Sequence, residues 1–96
     1  MIGGLSDIKK KDNMIIDLVN SVKNTFNETV YETNKFEVNS YKTQVVNGTI
    51  YYAKVETDKE YIHLKIHKSL PCNNSEINLM NHQDNKTLSD EIIGFS

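Results

Sequence analysis

The stretch Gln44-Val45-Val46-Asn47-Gly48 lies between two runs that alternate as half-buried strands do. Asn-Gly is a hairpin signal, because both central residues of a type I′ turn need positive φ, which Gly tolerates freely and Asn better than most residues. The stretch predicts a two-residue link that pairs the run Phe36 to Val46 with the run Thr49 to Val55, leaving Val45 and Val46 beside the tip. Hairpin tips are commonly polar. An apolar, protruding tip with no core to enter reads as a contact surface.

Upstream, Asp12 is a good N-cap, and Ile15, Leu18, Val19, Val22, Phe26 and Val30 recur at three- and four-residue intervals. This spacing predicts an amphipathic helix of about five turns, with its apolar stripe against a sheet. Lys23 is the only basic residue between Asp12 and Asn34, which argues against a helix lying on anionic lipid. From Phe36 the period becomes two. Phe36 and Val38 share one face while Tyr41, Thr43 and Val45 take the other parity, so a bulge is expected near Asn39-Ser40.

Downstream, Tyr51, Ala53 and Val55 alternate with Ile50, Tyr52 and Lys54, and Thr57-Asp58-Lys59-Glu60 forms the next turn. Ile62, Leu64 and Ile66 then oppose Tyr61, His63, Lys65 and His67. One side of this strand should pack on the helix and the other should meet water. Ile77, Leu79 and Met80 begin a last strand that weakens through Asn81 to Lys86, and Ile92, Ile93 and Phe95 form an apolar tail. One helix and sequential strands on short links predict an α+β fold, with an antiparallel sheet of at least four strands curled around a single helix.

Composition fits one small domain. The chain has 96 residues and a formal net charge of −2, and all 11 of its basic residues are lysines. No guanidinium fork is available for bidentate phosphate or guanine recognition, so nucleic acid is an unfavoured partner. No apolar run reaches the roughly 20 residues that span a bilayer, and none at the N-terminus has signal-peptide form. With Cys72 as the single cysteine no intrachain disulfide can form, and a cytoplasmic, reducing compartment is expected. Asn-x-Ser/Thr sequons begin at Asn27, Asn47, Asn73 and Asn85 in a chain of twelve asparagines; without a secretory route they should stay bare.

Catalytic readings fail on geometry. His63 and His67 have the His-x-x-x-His spacing of a helical zinc site, but on a strand they stand about 13 Å apart, beyond one metal ion. Cys72 sits in a polar loop with no oxyanion hole or orienting group visible in sequence. No metal, cofactor or enzymatic activity is expected. Leu70-Pro71-Cys72-Asn73-Asn74 is a second turn. In an up-and-down sheet the turns at 46–48 and 70–74 emerge at the same end, and the turn at 57–60 at the other. Val45, Val46, Leu70 and Pro71 should be exposed together on that end.

Gln44-Val45-Val46-Asn47-Gly48 resembles the Gln-Val-Val-Ala-Gly loop of the cystatins, protein inhibitors of papain-like cysteine proteases. Around it stand Tyr41-Lys42-Thr43, Tyr51-Tyr52, Lys54-Val55, Tyr61 to Lys65 and Ser69-Leu70-Pro71. With Gly3-Gly4-Leu5-Ser6 at the start and Asp90-Glu91 and Gly94-Phe95 at the end, the chain is similar to the stefin (type 1) branch over nearly its whole length. The resemblance implies a cystatin-like fold, one long helix wrapped by a curved antiparallel sheet of four to five strands, as a single domain over 1–96. Residues 1–11 alone read as a frayed terminus with a lysine run; the resemblance implies a flexible N-terminal arm.

The resemblance further implies reversible, tight inhibition by plugging of the protease cleft. Gly3 and Gly4 would belong to the arm; Gln44, Val45, Val46, Asn47 and Gly48 to the first hairpin; and Leu70 and Pro71 to the second. A monomer is expected, and the resemblance also allows domain-swapped dimers. Departures are present: Asn47 stands where alanine is common, only Met1-Ile2 precede the glycines, and Cys72 follows the Leu-Pro pair. The competing class is a non-inhibitory binding module that uses the same hairpin edge.

Overall fold

The computed structural model describes residues 4–95. In chain order the elements are β1 (Lys9–Lys10), α1 (Asn13–Thr29), β2 (Phe36–Val46), β3 (Gly48–Thr57), β4 (Tyr61–Lys68) and β5 (Ile77–Lys86). The strands form one sheet in the order β1-β2-β3-β4-β5, with every neighbouring pair antiparallel. The fold is α+β and cystatin-like, one helix against a curved five-stranded sheet. Helix α1 touches both β2 and β5, so the sheet curls around it as strand twist requires.

Asp12 starts the helix and fixes it in place. Its Oδ1 accepts from the Ile15 amide at 2.9 Å, satisfying a donor that the first helical turn leaves orphaned. Its Oδ2 accepts from the Tyr41 hydroxyl at 2.7 Å, tying the cap to β2. The Ile15 amide first, and the Tyr41 hydroxyl second, hold the Asp12 carboxyl below the usual carboxylate range. The apolar stripe is buried as its spacing predicts: Ile15, Leu18, Val19, Val22 and Phe26 face the sheet, with Val30 partly buried at the exit. Burying each large side chain of this kind is worth about 1.5–3 kcal/mol.

The register of β2 against β3 shifts between Val38 and Ser40. This bulge lets Phe36, Val38 and Tyr41 all enter the core despite their unlike parity. From the other strands come Ala53, Val55, Ile62, Leu64 and Ile66. Strand β5 runs on through its asparagines to Lys86 because β4 pairs along it, with register irregularities at Tyr61/His63 and Lys65/Ile66. His82 on β5 packs edge-on to Phe26, ring centroids 5.7 Å apart.

The second face of the sheet departs from expectation. It does not simply meet water, because the C-terminal segment returns across it. Ile92 is buried against Ile50 and Tyr52, and Lys54 Nζ donates to the carbonyls of Leu88 at 2.6 Å and Asp90 at 2.5 Å. Strand alternation reports which residues point away from the helix, but not what returns to cover them. His63 is consequently 0% exposed, while Tyr61, Lys65 and His67 on the same face stay half-buried. Among the described residues no helix is long and apolar enough to cross a membrane.

Burial first, and then the cations of Lys54 and Lys86, push the His63 imidazole down to about 4 from its ordinary 6.5. The unfolded chain takes up a proton near 6.5 that the folded protein refuses until about 4, so the unfolded state binds more protons between those values. Folding stability from this group is complete above pH 6.5 and declines as pH falls towards 4. Urea unfolding at pH 7 and pH 5 should show wild type weaker at the lower pH, and His63→Leu should flatten that slope. Equal wild-type stability at the two pH values would contradict this account.

Candidate functional site

Three segments meet at one end of the molecule. The first is the β2–β3 hairpin, where Val45 pairs with Thr49 and Val46 with Gly48, leaving Asn47 alone at the turn. The turn is therefore not the two-residue type I′ link that Asn-Gly predicts. Positive φ occurs at Gly48, with φ 101°, and not at Asn47, and the pairing resembles the longer hairpin connections that place one glycine in a left-handed region. Strand β3 accordingly starts at Gly48 and runs to Thr57.

Neighbouring backbone decides this geometry. A Cβ at Gly48 would collide with the Lys68 carbonyl oxygen and lie 3.0 Å from His67 Nε2 and 3.2 Å from Ser69 Cα. His67 Nε2–H donates to the Asn47 carbonyl at 2.8 Å, propping the tip from β4. Sequence spacing marks His67 as a zinc-ligand candidate and gives no local sign of this role. Its signal was register, since Ile50 stands opposite His67.

The two valines differ in exposure. Val45 follows the parity of Tyr41 and Thr43, but Tyr41 already contacts the helix cap, so Val45 projects beyond the helix and is 68% exposed. Val46 was expected to be exposed beside it, yet it is partly buried, packed against Ile50, Tyr52 and Ile92. Its parity turns it to the face that the C-terminal segment covers. Gln44 shares that face and accepts from the Tyr52 hydroxyl at 3.4 Å.

The second segment is the β4–β5 connection. Ser69 N–H donates to the Glu76 carbonyl at 2.9 Å and Ser75 N–H to the Leu70 carbonyl at 3.2 Å, and Pro71–Asn73 form one 3-10 turn. Asn74 adopts the left-handed region suited to asparagine, and Ser75 follows it there, with φ 69° and 48°. Leu70 and Pro71 are exposed at the tip, with Cys72 beside them. The contact between Gly48 and Ser69 makes the two hairpins neighbours. The turn at 57–60, closed on the Thr57 side chain, lies at the far end of β3 and β4.

The third segment is the start of the chain. Ser6 N–H donates to the Thr43 carbonyl at 2.8 Å, and Thr43 N–H donates to Ser6 Oγ at 2.9 Å. These bonds lay the arm beside β2, next to Gln44. Leu5 packs on the cluster of Ile50, Tyr52 and Ile92, whereas Gly4 is exposed with open space around it. Gly3 lies outside the described residues. None of the three segments carries a charged side chain: residues 1–6, 43–50 and 69–75 contain no Lys, Asp or Glu. Such an edge sheds water at low cost. Among the described residues no group of three or more His, Cys, Asp or Glu side chains could hold a metal ion.

The Cystatin domain family matches residues 3–89. The chain belongs to the cystatin family. Cystatin-A of Homo sapiens is 45% identical over 95 residues, covering 97% of this chain and 97% of its own length. Cystatin-A of Felis catus is 44% identical with the same coverage. Leukocyte cysteine proteinase inhibitor 1 of Sus scrofa is 36% identical over 97 residues, covering 99% of this chain and 94% of its own length. These full-length likenesses place this cystatin in the stefin branch, and one of the relatives is named as a cysteine proteinase inhibitor.

Gly48 is the most demanding position of this edge, with a left-handed φ and backbone packed where a side chain would begin. Gly48→Ala should cost more than about 1 kcal/mol, lowering Tm by roughly 4 °C or more for a domain of this size. Differential scanning calorimetry checks this. An unchanged Tm would mean that the two hairpins are not held together here.

Proposed function

We propose that this cystatin inhibits papain-like cysteine proteases reversibly and tightly by filling the active-site groove with three segments. The arm around Gly3 and Gly4 occupies one side of the scissile position. The hairpin of Gln44, Val45, Val46, Asn47 and Gly48 and the second hairpin, with Leu70 and Pro71, occupy the other side. The observation that carries this reading is the convergence on one edge of three segments without charged side chains. Access to the catalytic cysteine and histidine is blocked, no peptide bond is presented for attack, and no covalent step is involved.

The hairpins suit this role energetically. Their tips are anchored by strands and by the His67–Asn47 bond, so little conformational freedom is lost on binding. Val45 enters as an apolar anchor, while Val46 acts by supporting the loop from within. The protein works as a monomer in a cytoplasmic, reducing compartment, where exposed Cys72 remains a thiol.

Titration of active-site-counted papain should give stoichiometric loss of activity. Full activity at micromolar excess would instead favour a binding module without inhibitory function. Val45→Asp should weaken inhibition at least tenfold, about 1.4 kcal/mol, because a carboxylate must be desolvated in the groove. Its Tm should match wild type, since Val45 is exposed. Removal of Met1 to Gly4 should also weaken inhibition without altering the circular dichroism spectrum, and unchanged inhibition would remove the arm from the mechanism.

A further inference from the structure

We propose that the C-terminal residues Ile92 to Phe95 position the N-terminal arm by clamping Leu5 against Tyr52. The proposal rests on the inhibitory reading for its functional consequence, though the clamp itself is a property of the free protein. Gly4 has nothing within 4 Å of where a Cβ would stand. Leu5 is thus the first described arm residue with a packed side chain, and its place sets where Gly4 leaves the body.

Leu5 is held from two sides. Towards β2, the next residue exchanges two hydrogen bonds with Thr43, at 2.8 and 2.9 Å. On the other side Leu5 packs on the cluster of Ile50, Tyr52 and Ile92, on which Phe95 also packs. The Phe95 ring meets the Tyr52 ring edge-on at 5.5 Å, and the backbone at Gly94 passes so close that a Cβ there would lie 3.9 Å from Leu5 Cδ1 and 3.7 Å from the Tyr52 hydroxyl. The C-terminal segment is secured just before this point. Lys54 binds the carbonyls of Leu88 and Asp90, and Lys42 pairs with Glu91 at 3.6 Å.

Ile92 is 1% exposed and offers a protease no surface of its own. Any effect of Ile92 on binding must pass through the residues it touches. Its cluster with Ile50 and Tyr52 is the one on which the arm packs, through Leu5, and the buried side of the first hairpin, through Val46. Losing the clamp leaves the arm free to sample many orientations, and a binding partner must then supply the ordering that the tail now provides.

The test uses full-length Leu5→Ala, Phe95→Ala, Ile92→Ala and the double variant Leu5→Ala/Phe95→Ala, with two readouts. Amide exchange of Ser6 and Thr43 should quicken at least about fivefold in each single variant, while Ala53 and Leu64 in the central strands exchange as in wild type. Papain inhibition should weaken several-fold in Leu5→Ala and in Phe95→Ala, and the double variant should fall within about twofold of Leu5→Ala. Unchanged exchange at Ser6 in Phe95→Ala and Ile92→Ala would overturn the clamp, as would multiplying losses in the double variant, which signify independent contacts with the protease. Should Ile92→Ala loosen the central strands, Phe95→Ala on the rim decides the matter. If wild type leaves papain active, the inhibitory reading falls, and the exchange measurements still decide the clamp.

Discussion

The edge shared by the two hairpins depends on a backbone-to-backbone contact. Where β3 begins, Gly48 lies on the Lys68 carbonyl and against Ser69 so closely that no Cβ fits between them. That approach puts the end of β4 beneath the first turn and brings the second turn alongside it. It also brings His67 within 2.8 Å of the Asn47 carbonyl. Val45 can then stand out in solvent without a core beneath it, because the loop is held by its neighbour and not by its own burial. The end of the sheet away from Thr57 thereby becomes a shaped surface instead of two independent loops.

A second constraint is that the sheet is covered on both faces. The helix shields one, with Asp12 serving as cap for α1 and acceptor for Tyr41 on β2. The C-terminal segment shields part of the other, laid over Tyr52 and Ile50 by Ile92 and tied down through Lys54. A lysine can be buried here because two carbonyls receive its ammonium group. The same cover isolates His63 from water. In a chain of 96 residues without a disulfide-forming cysteine pair, this second layer enlarges an otherwise small core.

Much of this was legible in the residues. The stripe from Ile15 to Phe26 identified the helix and its buried face, Asp12 its start, and the parity change after Val38 the bulge. Chain order placed the two hairpins at one end, because successive antiparallel links alternate ends. What was not legible depends on segments distant in sequence. Asn47-Gly48 carries a strong local signal for a two-residue turn, yet packing against Lys68 and Ser69 selected a connection with a single left-handed residue. Val46 and His63 read as outward-facing, and their alternation is correct. Whether outward meant wet was decided by residues 87–95, whose return across the sheet has no periodic signature.

Strand β5 closes one side of the sheet with a run rich in asparagine, and its register against β4 is interrupted twice. A long, flat, apolar rim would template the addition of strands from other molecules. This one sets Asn78, Asn81 and Asn85 among exposed Ile77 and Met80, and its two register irregularities disturb the even ladder that a straight incoming segment would need. The chain therefore displays a bare valine at one end while its β5 flank makes a poor template for an added strand.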